Sequence, residues 1–360
     1  MTKQRAIGLD YLRIILALLI FFFHSREYCL VKYGIVDGFF GNGATSMSAF
    51  FMLSGWALYI TYRDKNFSDL RNLKVFFVKR LLSILPLYYL IFLLFVVFVG
   101  KETVLQNIVL FPIEALGLQS LIAGTFPLTH NGGTWFISCI LVCYLVFPFV
   151  KDCFRSLSER SIYWLMAVFY ILLSILPIIQ LYYRYDLESV YPNPFLRILE
   201  FSIGVFLAIL WDKYQVGGGK NILISLLRNK WIFLLSLMVW FLSTSVPSWL
   251  NVPHVGYVAY NATVIPCSIC IIMFLGTLQC RGNGNHTVLM YLSSISYGFY
   301  LSQLLAFPLT IYMLPESLLS GPWGILVSMV LCLVISIISY ELVLKPIKKH
   351  FHRSNIFLNR

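Results

Sequence analysis

Long apolar segments separated by short polar stretches recur along the whole chain. A helix needs about 20 predominantly apolar residues to cross the hydrocarbon core of a bilayer. Ten segments fit this pattern: residues 7–25, 44–62, 81–99, 135–150, 161–180, 196–211, 231–247, 257–277, 290–312 and 323–344. The pattern predicts an all-α polytopic membrane protein, a bundle of about ten transmembrane helices. We expect the tenth helix to stop at Pro346, because proline lacks the N–H that a helix interior uses.

The composition indicates the same class. Of the 360 residues, 59% are hydrophobic and 12% are charged, and the mean hydropathy is +0.81. A soluble domain carries about twice that fraction of charged residues. We therefore expect a single transmembrane domain over residues 1–350, a short basic cytoplasmic tail at 351–360, no cleaved signal peptide and no appended soluble domain.

The net charge of +12 is explained by membrane orientation rather than by nucleic acid. If the N-terminus is cytoplasmic, 21 of the 27 Lys and Arg residues fall on the cytoplasmic side of ten spans. Cytoplasmic loops of membrane proteins carry such an excess. We predict that both termini are cytoplasmic, that the protein lies in a bacterial inner or plasma membrane, and that nucleic acid is not a partner.

The first predicted span carries three ionisable side chains, Asp10, Arg13 and His24. Ionisable groups inside a membrane are costly and mark a functional site by default. Because each residue of an α-helix turns by about 100°, the step from Arg13 to His24 returns to the same face, about 16 Å along the axis. Asp10 precedes Arg13 by three residues and shares that face. The spacing predicts one functional stripe with an acid, a base and an imidazole.

Other polar residues are open to more than one interpretation. Lys79 and Arg80, just before the third span, fit either orientation charge or an anion site. Arg197 and Glu200 can form a structural salt bridge near the outer end of the sixth span. His130 lies among turn residues, which favours a surface histidine.

Several chemistries find no support in the sequence. Cys267 and Cys270 form a C-x-x-C motif inside a predicted span, without nearby ligand partners, so no metal site is predicted. Cys29 is the only cysteine that we place outside the membrane, and no disulfide framework is expected. A P-loop, a G-x-S-x-G motif and a dinucleotide fingerprint are all absent from the sequence.

Seven stretches together resemble the membrane-bound acyltransferase-3 family, whose members move acyl groups from coenzyme A to sugars and other extracytoplasmic acceptors. They are LDYLR, the R-x10-H pair Arg13 and His24, FFMLSGW (50–56), VKRLLSILPLYY (78–89), TWFISCILVCYLVFP (134–148), R-x-x-EF-x-x-G (197–204) and SYGFYL (296–301). Their order and spacing extend over nearly the whole chain.

The resemblance implies roles for particular residues. His24 would be the catalytic base or an acyl carrier, with Arg13 essential beside it. Arg80, Lys79 and Arg13 would bind the acyl donor. The supporting positions are Asp10, Ser54, Trp135, Glu200 and Tyr300. The resemblance also implies acyl-CoA, most commonly acetyl-CoA, as co-substrate, no permanently bound cofactor or metal, and O-acetylation of a sugar or polysaccharide acceptor, free or lipid-linked, at the cell envelope.

Four positions depart from the family pattern. Ser83 occupies the place of a second arginine in R-x-x-R, and Ile140 the place of a glutamate in the fourth span. Gln303 replaces the histidine that often ends S-Y-x-x-Y-L-x-H, and Leu344 replaces the glutamate of a terminal E-K-P. These differences leave the acceptor open and argue against the branch that carries an appended soluble transferase domain.

The sequence leaves two mechanisms and three functions open. His24 either removes a proton from an acceptor hydroxyl or takes the acyl group itself. Glu27 either orients the imidazole or is a solvated loop acid. A transporter or flippase for a sugar–lipid intermediate would also combine many spans with buried charges, but it is expected to contain an inverted repeat, which the sequence lacks. A non-enzymatic membrane partner would have no use for the stripe on the first span.

Overall fold

A computed structural model describes residues 6–100, 103–121, 129–182, 190–252, 256–278 and 286–358. The described chain is built from α-helices and short 3₁₀ turns. The helices are α1 (Ile7–Cys29), α2 (Asp37–Gly41), α3 (Ser46–Tyr62), α4 (Leu70–Phe98), α5 (Val104–Ala115), α6 (Trp135–Ser156), α7 (Glu159–Tyr182), α8 (Pro194–Val216), α9 (Ile222–Leu227), α10 (Lys230–Trp249), α11 (Asn261–Thr277), α12 (Thr287–Met313), α13 (Glu316–Leu319), α14 (Pro322–Ser339) and α15 (Lys345–Leu358).

Seven helical stretches of the described chain are long and apolar enough to cross a membrane. They are Ile7–Cys29, Leu70–Phe98, Gly132–Ser156, Pro194–Val216, Lys230–Trp249, Tyr257–Thr277 and Pro322–Phe351. The other three predicted spans fall in the helices α3, α7 and α12. The all-helical, multi-pass class is confirmed, whereas the count of ten spans and the position of the termini stay predictions.

Two glycines allow α3 and α8 to pack with their backbones in contact. A Cβ atom on Gly55 would collide with the carbonyl oxygen of Phe201, and one on Gly204 would collide with the carbonyl oxygen of Met52. Small residues permit this close approach between helices within a membrane. Gly55 of the SGW stretch and Gly204 of the EF-x-x-G stretch therefore set the spacing between α3 and α8.

The prediction that Pro346 stops the last helix is wrong. After α14 the chain forms a π-helical turn, Tyr340–Leu344, and continues as α15. A π turn uses i to i+5 hydrogen bonds, and this local widening accommodates a residue without an N–H. The helix therefore extends beyond Pro346 and carries Lys348 with it.

The prediction that His130 is a surface histidine is also wrong. Its side chain is buried. The ring Nδ1 is hydrogen-bonded to the Glu114 carboxylate, and Nε2 lies 2.7 Å from Oδ1 of Asn107. The Glu114 carboxylate also accepts the backbone N–H of His130 at 3.0 Å. Because both ring nitrogens have partners on α5, the imidazole can lie inside the protein and fix α5 to the segment just before α6.

Candidate active site

The stripe predicted on α1 faces α12. Asp10 is buried and lies 3.5 Å from Nη1 of Arg13. Ser293 on α12 donates its hydroxyl to the same carboxylate at 2.6 Å. A buried carboxylate needs such partners to offset the loss of water. Asp10 therefore orients Arg13 and joins the two helices at this level.

His24 is held by an amide on α12. Its Nδ1 lies 2.8 Å from Oε1 of Gln303. The amide nitrogen of Gln303 donates to the Ala17 carbonyl at 3.2 Å, which sets the orientation of the amide. Because an amide oxygen only accepts hydrogen bonds, Nδ1 must carry a proton. In the neutral imidazole the lone pair is then on Nε2, which is the nitrogen that can accept a proton from a bound molecule.

A cavity of about 380 Å³ lies beside Arg13. Its wall contains three cationic side chains, Arg13, Arg80 and Lys348, and no Asp or Glu among its described lining residues. We call it the basic cavity. Nη2 of Arg80 donates to the Tyr62 hydroxyl at 3.2 Å, and the guanidinium lies over the rings of Tyr62 and Tyr144. The buried Nε of Arg80 has no hydrogen-bond partner in the described chain. Three cations converging on one space favour an anionic ligand.

A second cavity, of about 410 Å³, lies beside His24. We call it the aromatic cavity because six of its fourteen described lining residues are Phe, Tyr or Trp. The aromatic lining residues are Phe23, Tyr28, Trp135, Tyr191, Tyr257 and Tyr300. Two glycines from the turn before α6, Gly132 and Gly133, complete one side of the wall. A concave, mostly apolar space with a few placed polar groups is typical of a small-molecule site.

The two cavities lie one after the other along the same helices. On α1, Arg13 borders the basic cavity and His24 borders the aromatic cavity. The rise of an α-helix puts these two residues about 16 Å apart along the axis. Met47 on α3 and Tyr300 on α12 line both cavities. The cavities therefore adjoin, and a long ligand bound at Arg13 can extend towards His24.

A buried ion pair supports the wall of the aromatic cavity. Nη1 of Arg197 lies 2.8 Å from the Glu200 carboxylate, and Ser48 donates to the same carboxylate at 2.7 Å. The Arg197 guanidinium also lies over the rings of Trp135 and Tyr191, at 5.2 and 4.7 Å. It donates two hydrogen bonds, 3.0 and 2.6 Å, to the Tyr191 carbonyl. The predicted pair is present, and it holds two of the rings.

The phenol of Tyr191 is a neutral donor in this wall. Burial raises its pKa well above the usual value. Its hydroxyl donates to the Ala44 carbonyl at 2.9 Å, and the Tyr300 hydroxyl donates to the Gly133 carbonyl at the same distance. Both hydroxyls thus have protein partners, and these residues present ring surfaces to the cavity.

The structure brings most of the predicted site residues to the two cavities. Those that line a cavity are Arg13, Arg80 and Ser54 in the basic cavity, His24 and Trp135 in the aromatic cavity, and Tyr300 in both. Asp10 and Glu200 lie behind them as buried ion-pair partners. Lys79 is exposed on α4 and is not among the described lining residues.

Sequence reasoning missed two polar residues of this site. Lys348 follows Pro346, where the sequence predicts that the helix stops, and Gln303 stands out in the sequence only as a departure from the family pattern. Gln303, and not Glu27, holds the imidazole, since Glu27 pairs with Arg26 at 3.1 Å. Ser83, at the place of the second family arginine, lines the basic cavity. The third cation there comes from Lys348.

Comparisons with known proteins identify acyltransferases as relatives of this chain. The family model described as "Acyltransferase domain" matches residues 6–341. Acyltransferase MdmB from Streptomyces mycarofaciens is 25% identical over 185 residues, which are 47% of this chain and 46% of that protein. The chain thus spans about half the length of the curated relative that it matches. No solved structure matches the chain.

Proposed function

Because the chain belongs to this acyltransferase family, we propose that it transfers an acyl group from acyl-CoA to a hydroxyl of a sugar or polysaccharide. The donor binds in the basic cavity and the acceptor in the aromatic cavity. The observation that carries this proposal is that the two cavities adjoin at Met47 and Tyr300, with Arg13 on one side and His24 on the other.

The basic cavity suits the donor because coenzyme A is a polyanion. Arginine binds phosphate oxygens through two parallel N–H donors, and lysine binds them as a point charge. Arg80 and Lys348 both line this cavity and carry N–H donors for phosphate oxygens. With its phosphates near Arg80 and Lys348, the pantetheine arm extends past Arg13 and brings the thioester towards His24.

The chemistry falls to Nε2 of His24. As a base, Nε2 takes the proton of the acceptor hydroxyl while its oxygen attacks the thioester carbonyl. The C–S bond breaks, and the departing thiolate of coenzyme A receives the proton from the imidazolium. As a nucleophile, Nε2 instead attacks the thioester carbonyl, and the C–S bond breaks to give the CoA thiolate and an acyl-imidazolium. The acceptor hydroxyl then attacks the acyl carbon, the bond to Nε2 breaks, and the hydroxyl proton goes to the thiolate or to water. Both routes need the Nδ1–H tautomer that Gln303 holds.

The same arrangement favours one orientation in the membrane. Coenzyme A is cytoplasmic, so the basic cavity opens to the cytoplasm, and the aromatic cavity opens to the opposite side. The chain is then a bacterial plasma-membrane protein with cytoplasmic termini, as its charge distribution predicts. The acceptor would be modified outside the cell with an acyl group, most simply acetyl, supplied from within.

The proposal is tested with purified protein in detergent and a series of short acyl-CoA donors. We expect release of free CoA, quantified by liquid chromatography, and a rate that increases when a suitable acceptor is added. No gradient is required. If no donor yields free CoA with any of a broad set of sugars, the proposed acyltransferase function is contradicted.

Replacing Lys348 with glutamine is expected to raise the KM for acyl-CoA about tenfold, since one charge-assisted phosphate contact is worth roughly 1.4 kcal/mol or more. Lys349→Gln is the matched control, because Lys349 is also exposed on α15 but is not among the described lining residues of the cavity. Equal effects of the two substitutions on the KM for acyl-CoA would contradict a specific phosphate contact of Lys348 and would attribute the effect to the net charge of α15. Lys79→Gln, measured in parallel, tests the donor-binding role that the resemblance implies for that residue.

Replacing Gln303 with leucine is expected to lower kcat by about 10- to 100-fold, the range known for the hydrogen-bond partners that orient metal-bound histidines. Leucine offers no acceptor to Nδ1–H, so the tautomer with its lone pair on Nε2 is no longer selected. Gln303→Glu keeps an acceptor oxygen at the same position and should recover much of the rate. Steady-state kinetics and thermal stability are measured together. Equal activity of the leucine and glutamate variants would contradict the proposed role of Gln303 in orienting His24.

A further inference from the structure

The two cavities differ in the charge that they offer to a ligand. The basic cavity is lined by Arg13, Arg80 and Lys348. Among the described residues that line the aromatic cavity, Glu27 is the only acid, and neither lysine nor arginine is present. An anionic group needs a cation or several N–H donors when it leaves water. The aromatic cavity therefore provides little to stabilise an anion.

In the described chain, two arginines contact residues that line the aromatic cavity, and both are paired with carboxylates. Arg197 lies behind the rings of Trp135 and Tyr191, and its charge is balanced by the buried Glu200 carboxylate. Arg26 pairs with Glu27 and with Asp37, at 3.1 and 3.0 Å. Neither arginine is among the residues that line the aromatic cavity. Because Arg26 is shared by two carboxylates, Glu27 and Asp37, this group keeps a net negative charge, and a carboxylate or phosphate on the acceptor would meet it at the cavity wall.

The rings of the wall are fixed in place. Tyr191 and Tyr300 donate their hydroxyls to backbone carbonyls. Tyr257 packs edge-on against Phe23 at 5.5 Å and against Tyr191 at 5.4 Å. Fixed rings keep flat apolar surfaces towards the ligand with little further loss of side-chain freedom. A sugar ring has one or two faces of C–H groups, which pack on such surfaces while its hydroxyls remain at its edge.

We propose that the aromatic cavity binds an uncharged sugar ring and discriminates against uronic acids and phosphorylated sugars. This inference rests on the proposed function and narrows its acceptor class. The ring packs on the aromatic wall, with one hydroxyl directed at Nε2 of His24. Glu27 at the cavity wall repels acidic sugars.

The test compares acceptors that have the same shape and differ in charge. Methyl glucuronamide and methyl glucuronide both lack a 6-hydroxyl, and only the second is ionised. Methyl galacturonamide and methyl galacturonide form a second pair. The parent methyl glucoside and methyl galactoside, which keep the 6-hydroxyl, show whether that hydroxyl is the one acylated. The readout is free CoA released above the rate without acceptor. For whichever sugar pair the protein accepts as substrates, we expect kcat/KM for the amide to exceed kcat/KM for the acid by at least about tenfold.

Two substitutions connect the effect to the cavity. Glu27→Gln should raise the ratio of kcat/KM for the acidic sugar to kcat/KM for its amide several-fold. Tyr257→Leu should raise the KM for the neutral sugar about tenfold without changing the KM for acyl-CoA, whereas Tyr257→Phe, which keeps the ring, should resemble the unmodified protein.

The inference is overturned if an acid is used as well as its amide, or if no neutral sugar stimulates CoA release. Failure of this inference is distinct from failure of the proposed function. If only the inference fails, the protein still releases CoA by transfer to water or to another acceptor. If the proposed function fails, no donor yields free CoA under any condition.

Discussion

Replacement of His24 by alanine is expected to lower acyl transfer by about 10²- to 10⁴-fold, the usual contribution of a positioned general base, and more if the imidazole carries the acyl group. His24 lines a cavity, so its loss enlarges an existing space and strands no ion-pair partner. Thermal stability and the KM for acyl-CoA should therefore change little. His350→Ala, a change at an exposed histidine on α15, is the control. A His24→Ala protein with a normal rate would exclude the mechanism.

The same variant distinguishes the two chemical routes. Protein incubated with radiolabelled acyl-CoA and no acceptor should retain label after rapid denaturation if an acyl-imidazole forms. Label that disappears in His24→Ala would assign the acyl group to this residue. Rapid transfer without any trapped label would favour direct attack, with His24 as the base.

Replacement of Arg197 by methionine is expected to destabilise the protein by roughly 3–5 kcal/mol, because it leaves the buried Glu200 carboxylate without its cation. The side chains of both residues are almost fully inaccessible, at 3% and 1% exposure. The double variant Arg197→Met with Glu200→Gln removes both charges and keeps an acceptor for Ser48. It should recover part of the stability, but not the contacts of the guanidinium with Trp135 and Tyr191. Thermal unfolding in detergent measures both variants.

The control for this prediction is an ion pair of similar geometry at an exposed position. Lys345 and Glu341 are 2.6 Å apart on successive turns, and their side chains are 57% and 35% exposed. Exposed pairs contribute about 1 kcal/mol or less. Lys345→Met should therefore shift the unfolding temperature far less than Arg197→Met. Equal shifts for the two substitutions would mean that burial of the Arg197 pair does not determine its contribution.

The parts of the site that could be predicted from sequence are those set by the period of a single helix. Asp10, Arg13 and His24 lie on α1, and their spacing alone put them on one face. The pairing of Arg197 with Glu200 was predictable for the same reason, since three residues separate neighbours on a helix surface. The ionisable residues also stood out because the surrounding sequence is apolar.

The parts that could not be predicted depend on contacts between distant segments. Gln303 is 279 residues from His24, and no local pattern marks it as the partner of the imidazole. Lys348 was missed because Pro346 was expected to end its helix, whereas the π turn at Tyr340–Leu344 lets the helix continue. His130 was assigned to the surface because its partner Glu114 lies on another helix.

The junction between the cavities has a consequence for how this protein can diverge. Among the described lining residues, only Met47 and Tyr300 are shared. If the donor and the acceptor occupy the two cavities as proposed, a substitution elsewhere in either wall touches one substrate and not the other. Recognition of the donor and recognition of the acceptor could then change independently in evolution or be exchanged separately by engineering. Met47 and Tyr300 are different, because on the same proposal the acyl group reaches His24 beside them, and their size would limit the acyl chains that the protein can deliver.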